Sequence, residues 1–169
     1  MSKDNPQPPL PATIDADAGA GASRASVVRC RTVSEGHFRQ LNYLRDLPPY
    51  VIEQRLGSER EDAAPTPLEA VLAALGSCLT VGLRANGIMR GITISSLSIE
   101  LEAEFDASTI WGTPNRHSKP LGFNTVRALI RMDADARRLE LEELVSYVLL
   151  WSPVGNSLHN PMHLEATLA

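Results

Sequence analysis

Three features of this 169-residue sequence predict an α+β domain. A long apolar run opens at a sharply marked helix start, Thr66-Pro67-Leu68-Glu69. Short segments before and after it alternate apolar and polar residues with the period of two that a strand imposes. Near the C-terminus, Leu141, Leu144, Val145 and Val148 fall at the spacing of one helical face. Taken along the chain, the order is β-β-β-α-β-β-α-β: an antiparallel sheet packed on two helices.

Residues 1–23 carry Pro6, Pro8, Pro9 and Pro11 and then an Ala/Gly/Asp run, so they predict a disordered tail ahead of a domain over 24–169. Val28, Cys30 and Thr32 alternate with Arg29, Arg31 and Val33 in a first strand. Ser34-Glu35-Gly36 signals a turn, and Phe38, Leu41, Tyr43 and Leu44 mark a second strand. Pro48-Pro49 breaks it, Tyr50–Glu53 makes a third, and a polar loop over 57–64 leads to the helix. There Thr66 suits the N-cap, Pro67 the first helical position, and Glu69 the third residue of a capping box. The apolar residues from Leu68 to Leu83 cover nearly every face, which predicts a core helix extending to Gly91. Glu69 and Arg84 hold the apolar run below the roughly 20 residues of a membrane span.

Leu97, Ile99, Leu101, Ala103 and Phe105 then alternate with Ser98, Glu100, Glu102 and Glu104. A loop is expected over 106–122. Val126, Ala128, Ile130 and Met132 alternate with Arg127 and Arg131, which antiparallel pairing would set beside the glutamates as a solvated face. The second helix should run from about Arg137 to Trp151, where Ser152-Pro153 ends it. His163 to Leu168 reads as a closing strand.

Sixteen basic residues against twenty acidic ones leave a net charge of −4, which argues against a nucleic-acid binder. The two cysteines make no disulfide framework, and no Cys/His cluster has zinc spacing, so neither metal nor cofactor is expected. Lys3 is followed by no apolar stretch of the kind a secretory signal needs. The expected compartment is the cytoplasm, where free thiols stay reduced.

Cys78, in the middle of the first helix, is the residue that could carry chemistry. It has two readings: an inert core cysteine, or a reactive thiol with room beside it left by Gly76-Ser77. Glu69 stands nine residues away, about 13 Å along the axis and on the opposite side, so a direct pair would need another subunit.

Thr66-Pro67-Leu68-Glu69 through Gly76-Ser77-Cys78, then Arg90-Gly91, the alternating strand and Ser152-Pro153-Val154, together resemble the OsmC/Ohr family of osmotically induced and organic hydroperoxide resistance proteins. The resemblance covers the chain from about Ser26 onward. It implies an intertwined homodimer, with the long helices central and each site at the interface. It also implies that the Cys78 thiolate attacks a small-molecule hydroperoxide, leaving an alcohol and a sulfenic acid. An arginine holding the thiolate is implied too, assigned to Arg39 with Arg31 and Arg45 as rivals, and a glutamate orienting it, assigned to Glu69.

Two positions depart from the family pattern. The resolving cysteine before a proline is here Ser152, which forms no disulfide, so resolution falls to an external thiol or to Cys30. The glutamate that directly follows the proline in well-studied members is Leu68, one residue before Glu69. The leading expectation is a thiol-dependent hydroperoxide reductase without nucleic-acid or membrane partners. The alternative is a non-catalytic dimer that binds a small apolar ligand or senses redox state.

Overall fold

The computed structural model describes residues 26–36, 38–54, 64–105 and 122–168. The tail expected over 1–23 lies outside them, as do, but for their last residues, the loops expected over 57–64 and 106–122. Among the described residues run β1 (Arg31–Ser34), β2 (Arg39–Tyr43), β3 (Tyr50–Glu53), α1 (Pro67–Met89), β4 (Ile94–Phe105), β5 (Phe123–Ala134), α2 (Arg138–Trp151) and α3 (Pro153–His159). The α+β class stands, with the strands in two antiparallel sheets, β1-β2-β3 and β4-β5. The chain divides into two compact units, Met1–Ala70 and Val71–Ala169.

In the first unit, β1 and β2 are joined through Gly36, whose φ of 107° favours a residue without a Cβ. Leu41 pairs with Val33 on one side and Val51 on the other. Cys30 and Val28, expected inside the first strand, precede it and are exposed. The reason lies in the partner: β2 stops pairing at Tyr43, opposite Arg31, and the chain then turns at Leu44–Leu47.

The start of α1 closes as the residues predict. Glu69 Oε2 accepts from both the N–H and the hydroxyl of Thr66 at 2.8 Å, and Thr66 Oγ1 accepts from the Glu69 N–H at 3.3 Å. The Thr66 N–H, and then its hydroxyl, hold the Glu69 carboxyl below its ordinary range. The linked stability is therefore full above the unfolded carboxylate's pKa and is lost as pH falls through the lowered one.

The second unit holds a core of Leu75, Leu79 and Leu83 from α1, Ile94 from β4, and Leu144 and Val148 from α2. The α1 residues repeat every fourth position, so they form a stripe rather than a jacket. This corrects the expectation of a helix buried all round, since Val81, Ile88 and Met89 are each more than two-thirds exposed. By length and composition α1 as a whole could cross a membrane, which counting only from Glu69 to Arg84 understates. Two glycines allow its close packing. A Cβ on Gly82 would lie 2.8 Å from Val148, and one on Gly76 would lie 3.2 Å from Leu101. Gly91, at φ 72°, ends the helix, with the Gly91 N–H on Ile88 and the Ile92 N–H on Gly87.

Along β4, Leu97, Ile99, Leu101 and Ala103 are half-buried while Ser98, Glu100, Glu102 and Glu104 are exposed, as expected. Phe105, expected on the inner face with them, is exposed. Across the outer face Arg127 pairs with Glu104 and Arg131 with Glu100, diagonal neighbours in the register. All four side chains are more than half exposed, so these pairs add little to stability.

The C-terminus departs from expectation. No strand forms at His163–Leu168. Instead Ser152-Pro153 stops α2 and starts α3, because a proline that cannot continue one helix is well suited to open the next. Pro161 lies just past the last turn, and the described residues beyond it run exposed without strand pairing.

Candidate functional site

The turn between α2 and α3 brings Ser152 to Cys78. Cys78 is half-buried on α1, three residues after the core position Leu75 and one before Leu79. Its Sγ lies 3.3 Å from the Ser152 Oγ, well inside hydrogen-bond range for sulfur. Ser152 is only 3% exposed, and among the described residues it is the one polar side chain in the buried class.

The serine is held from three directions. Its Oγ accepts from the Gly155 N–H at 3.0 Å, which caps α3. Its carbonyl accepts from the Asn156 N–H at 2.8 Å and from Asn156 Nδ2 at 3.0 Å. The same amide nitrogen reaches the Leu150 carbonyl at 2.9 Å, which ties the end of α2 to the turn. A Cβ at Gly155 would stand 3.1 Å from the serine oxygen, so the glycine leaves the hydroxyl its space. A partly buried thiol beside a fixed, buried hydroxyl suits nucleophilic sulfur chemistry, and the oxygen cannot close a disulfide.

The other residues named from the sequence are engaged with other groups or exposed. Arg39 bonds Glu35 at 2.9 Å and Glu53 at 3.4 Å. The Glu35 hydrogen bond foremost keeps its guanidinium firmly charged. Arg31 stacks 4.5 Å over the Tyr43 ring, and Arg45 is exposed in the turn after β2 at φ 53°. Glu69 is engaged by the Thr66 cap. Exposed Cys30 lies 3.9 Å from Thr32 Oγ1. Among the described residues no three His, Cys, Asp or Glu side chains gather as a metal site would require.

The space expected beside Gly76-Ser77 is a single groove on α1 and β4. Leu101 packs close to Gly76, and both line, with Ser77, Leu72, Val81 and Ile99, a shallow apolar groove of about 650 Å³ whose lining does not include Cys78. Ser152 itself stands out in the sequence as a missing cysteine. Its role as a cap is signalled by the Ser-Pro-x-Gly run, in which a capping hydroxyl, an N1 proline and a small third residue announce a new helix.

A model of the OsmC-like protein family matches residues 60–167. Comparison with curated proteins gives no match. Among solved structures, an OsmC-like protein from Mycoplasma pneumoniae superposes with a TM-score of 0.68 at 15% identity, over 80% of this chain and 89% of that one. A protein from Legionella pneumophila described as an organic hydroperoxide resistance protein and predicted redox protein gives 0.52 at 16%, over 80% and 91%. The organic hydroperoxide resistance protein OhrB of Bacillus subtilis gives 0.51 at 15%, over 76% and 89%. At such identities the structural likeness shows the fold.

Proposed function

Because the chain belongs to the OsmC family, we propose that it is a thiol-dependent reductase of organic hydroperoxides acting through Cys78. The observation that supports this reading most is the Ser152 hydroxyl 3.3 Å from the Cys78 sulfur, on a helix that leaves the thiol only partly buried. The thiolate attacks the terminal oxygen of ROOH, an S–O bond forms and the O–O bond breaks. Sulfur loses two electrons to the peroxide, and the departing alkoxide takes up a proton to become ROH. One external thiol then displaces water from the sulfenic acid to give a mixed disulfide, and a second releases Cys78 by exchange.

The test is intact mass after about one equivalent of cumene hydroperoxide is added to the reduced protein. One oxygen gained by the wild type is expected. Loss of two hydrogens, absent in Cys30→Ser, would make Cys30 the resolving thiol. A wild type that gains nothing would sink the enzyme and favour the apolar-ligand binder, for which the groove at Ser77 speaks.

The working form is a homodimer. Val81 on α1 is 68% exposed, and the neighbours Leu150 and Trp151 on α2 are 66% and 64% exposed, apolar side chains that a second copy would cover. Sedimentation should give twice the chain mass, and Trp151→Asp should shift the protein toward monomer. A wild type sedimenting as a single chain would overturn the dimer.

A further inference from the structure

We infer that Ser152 is the hydrogen-bond donor that holds the Cys78 sulfur in its anionic and then its oxidised form. The inference rests on reading Cys78 as the reactive atom. A hydroxyl has one proton and two lone pairs. One lone pair of Ser152 takes the Gly155 N–H, and the Cys78 sulfur is the remaining partner found 3.3 Å away. With Sγ ionised, sulfur can only accept, so the direction of that bond is settled by charge. The clamp on the serine makes the donor preorganised. Asn156 fixes its carbonyl, Gly155 fixes its oxygen, and the side chain is 3% exposed, so little water competes for the proton. The same proton suits the oxygen of a sulfenate. An alcohol does not displace water from a sulfenic acid, so the oxidised state would persist until a soluble thiol arrives.

The experiment compares Ser152→Ala and Ser152→Thr, each in a Cys30→Ser background where Cys78 is the only thiol left of the two in the sequence. Two rates are read: iodoacetamide labelling at neutral pH, and dimedone trapping after cumene hydroperoxide. Melting is followed alongside, because alanine also removes the α3 cap. A hydrogen bond to a charged group has a worth that translates to slowing on the order of tenfold in Ser152→Ala for both rates. Ser152→Thr, which keeps hydroxyl and cap, should stay within about threefold of the wild type. Labelling of Ser152→Ala at the wild-type rate would overturn the inference. So would a Ser152→Thr protein that melts like the wild type yet reacts as slowly as the alanine variant. Slower labelling with no dimedone adduct in any protein would leave the donor role standing and remove the peroxidase reading instead.

Discussion

Cys78→Ser is expected to bring hydroperoxide consumption down to that of buffer, with the fold intact. The thiolate is the nucleophile in this chemistry. A serine hydroxyl carries almost no alkoxide at neutral pH and has no counterpart to the two-electron oxidation that makes a sulfenic acid. Structural damage should be slight. Oxygen is smaller than sulfur, the site is half-buried, and Ser152 could still bond the new hydroxyl. A melting change within about 1 kcal/mol is therefore anticipated, at the small end of ordinary point mutants. Cys30→Ser provides the contrast. Cys30 is exposed and its contact with Thr32 is a weak one, so consumption should be unchanged. Residual turnover in Cys78→Ser that disappears in Cys30→Ser would move the reactive atom to the other cysteine.

Much of the fold could be read from residues that act locally. The Thr66–Glu69 box, the Gly36 turn and the Gly91 stop each follow from a few neighbouring residues, and each forms as expected. Along β4 and β5 the alternation was enough to name the Arg–Glu pairing and most of the exposed face, because side chains on a strand change sides with every residue, though Phe105 and Ala128, expected inside, are exposed as well. The burial of α1 was less legible. An apolar run shows that a helix has hydrophobic faces but not which one meets the core. Gly82 holds that information, since Val148 comes close only where a side chain is missing.

Where one residue serves two elements, local reading fails more sharply. Ser152-Pro153 ends α2 by removing a backbone donor and opens α3 by supplying a cap, and only the first role shows in a search for helix stops. With α3 in place, the described residues after Pro161 are left without a strand partner. The serine's orientation is equally hidden from local reading, because the bond from the Gly155 N–H exists only if the chain turns into a helix there. Cys78 could be picked out as a lone thiol on an apolar helix. Its partner 74 positions away depends on how α1 and α2 pack, which no local pattern encodes.

Ser152→Cys should change the product of peroxide treatment from a sulfenic acid to a disulfide. Oxygen and sulfur now stand 3.3 Å apart, and a disulfide needs about 2.05 Å between sulfurs. The longer C–S bond of the new side chain shortens the gap, and a modest χ1 adjustment at either residue covers what remains. The sulfenic acid formed at Cys78 would be attacked by the introduced thiol, water would leave, and intact mass would show two hydrogens lost where the wild type gains one oxygen. Closing a loop of this length restricts the unfolded chain, worth about 4 kcal/mol in the chain-entropy model. The cap on Gly155, worth about 1 kcal/mol, is lost in the reduced and oxidised variant alike and cancels between them. The oxidised variant should thus melt above its own reduced form and return to it when dithiothreitol is added. An external thiol would no longer be needed for the first resolving step, so sulfenic acid trapping by dimedone should fall nearly to zero. A variant that instead accumulates oxygen, with the second thiol still free to alkylate, would show that residue 152 does not approach Cys78 closely enough in solution. In that case the donor role of Ser152 would fall with it.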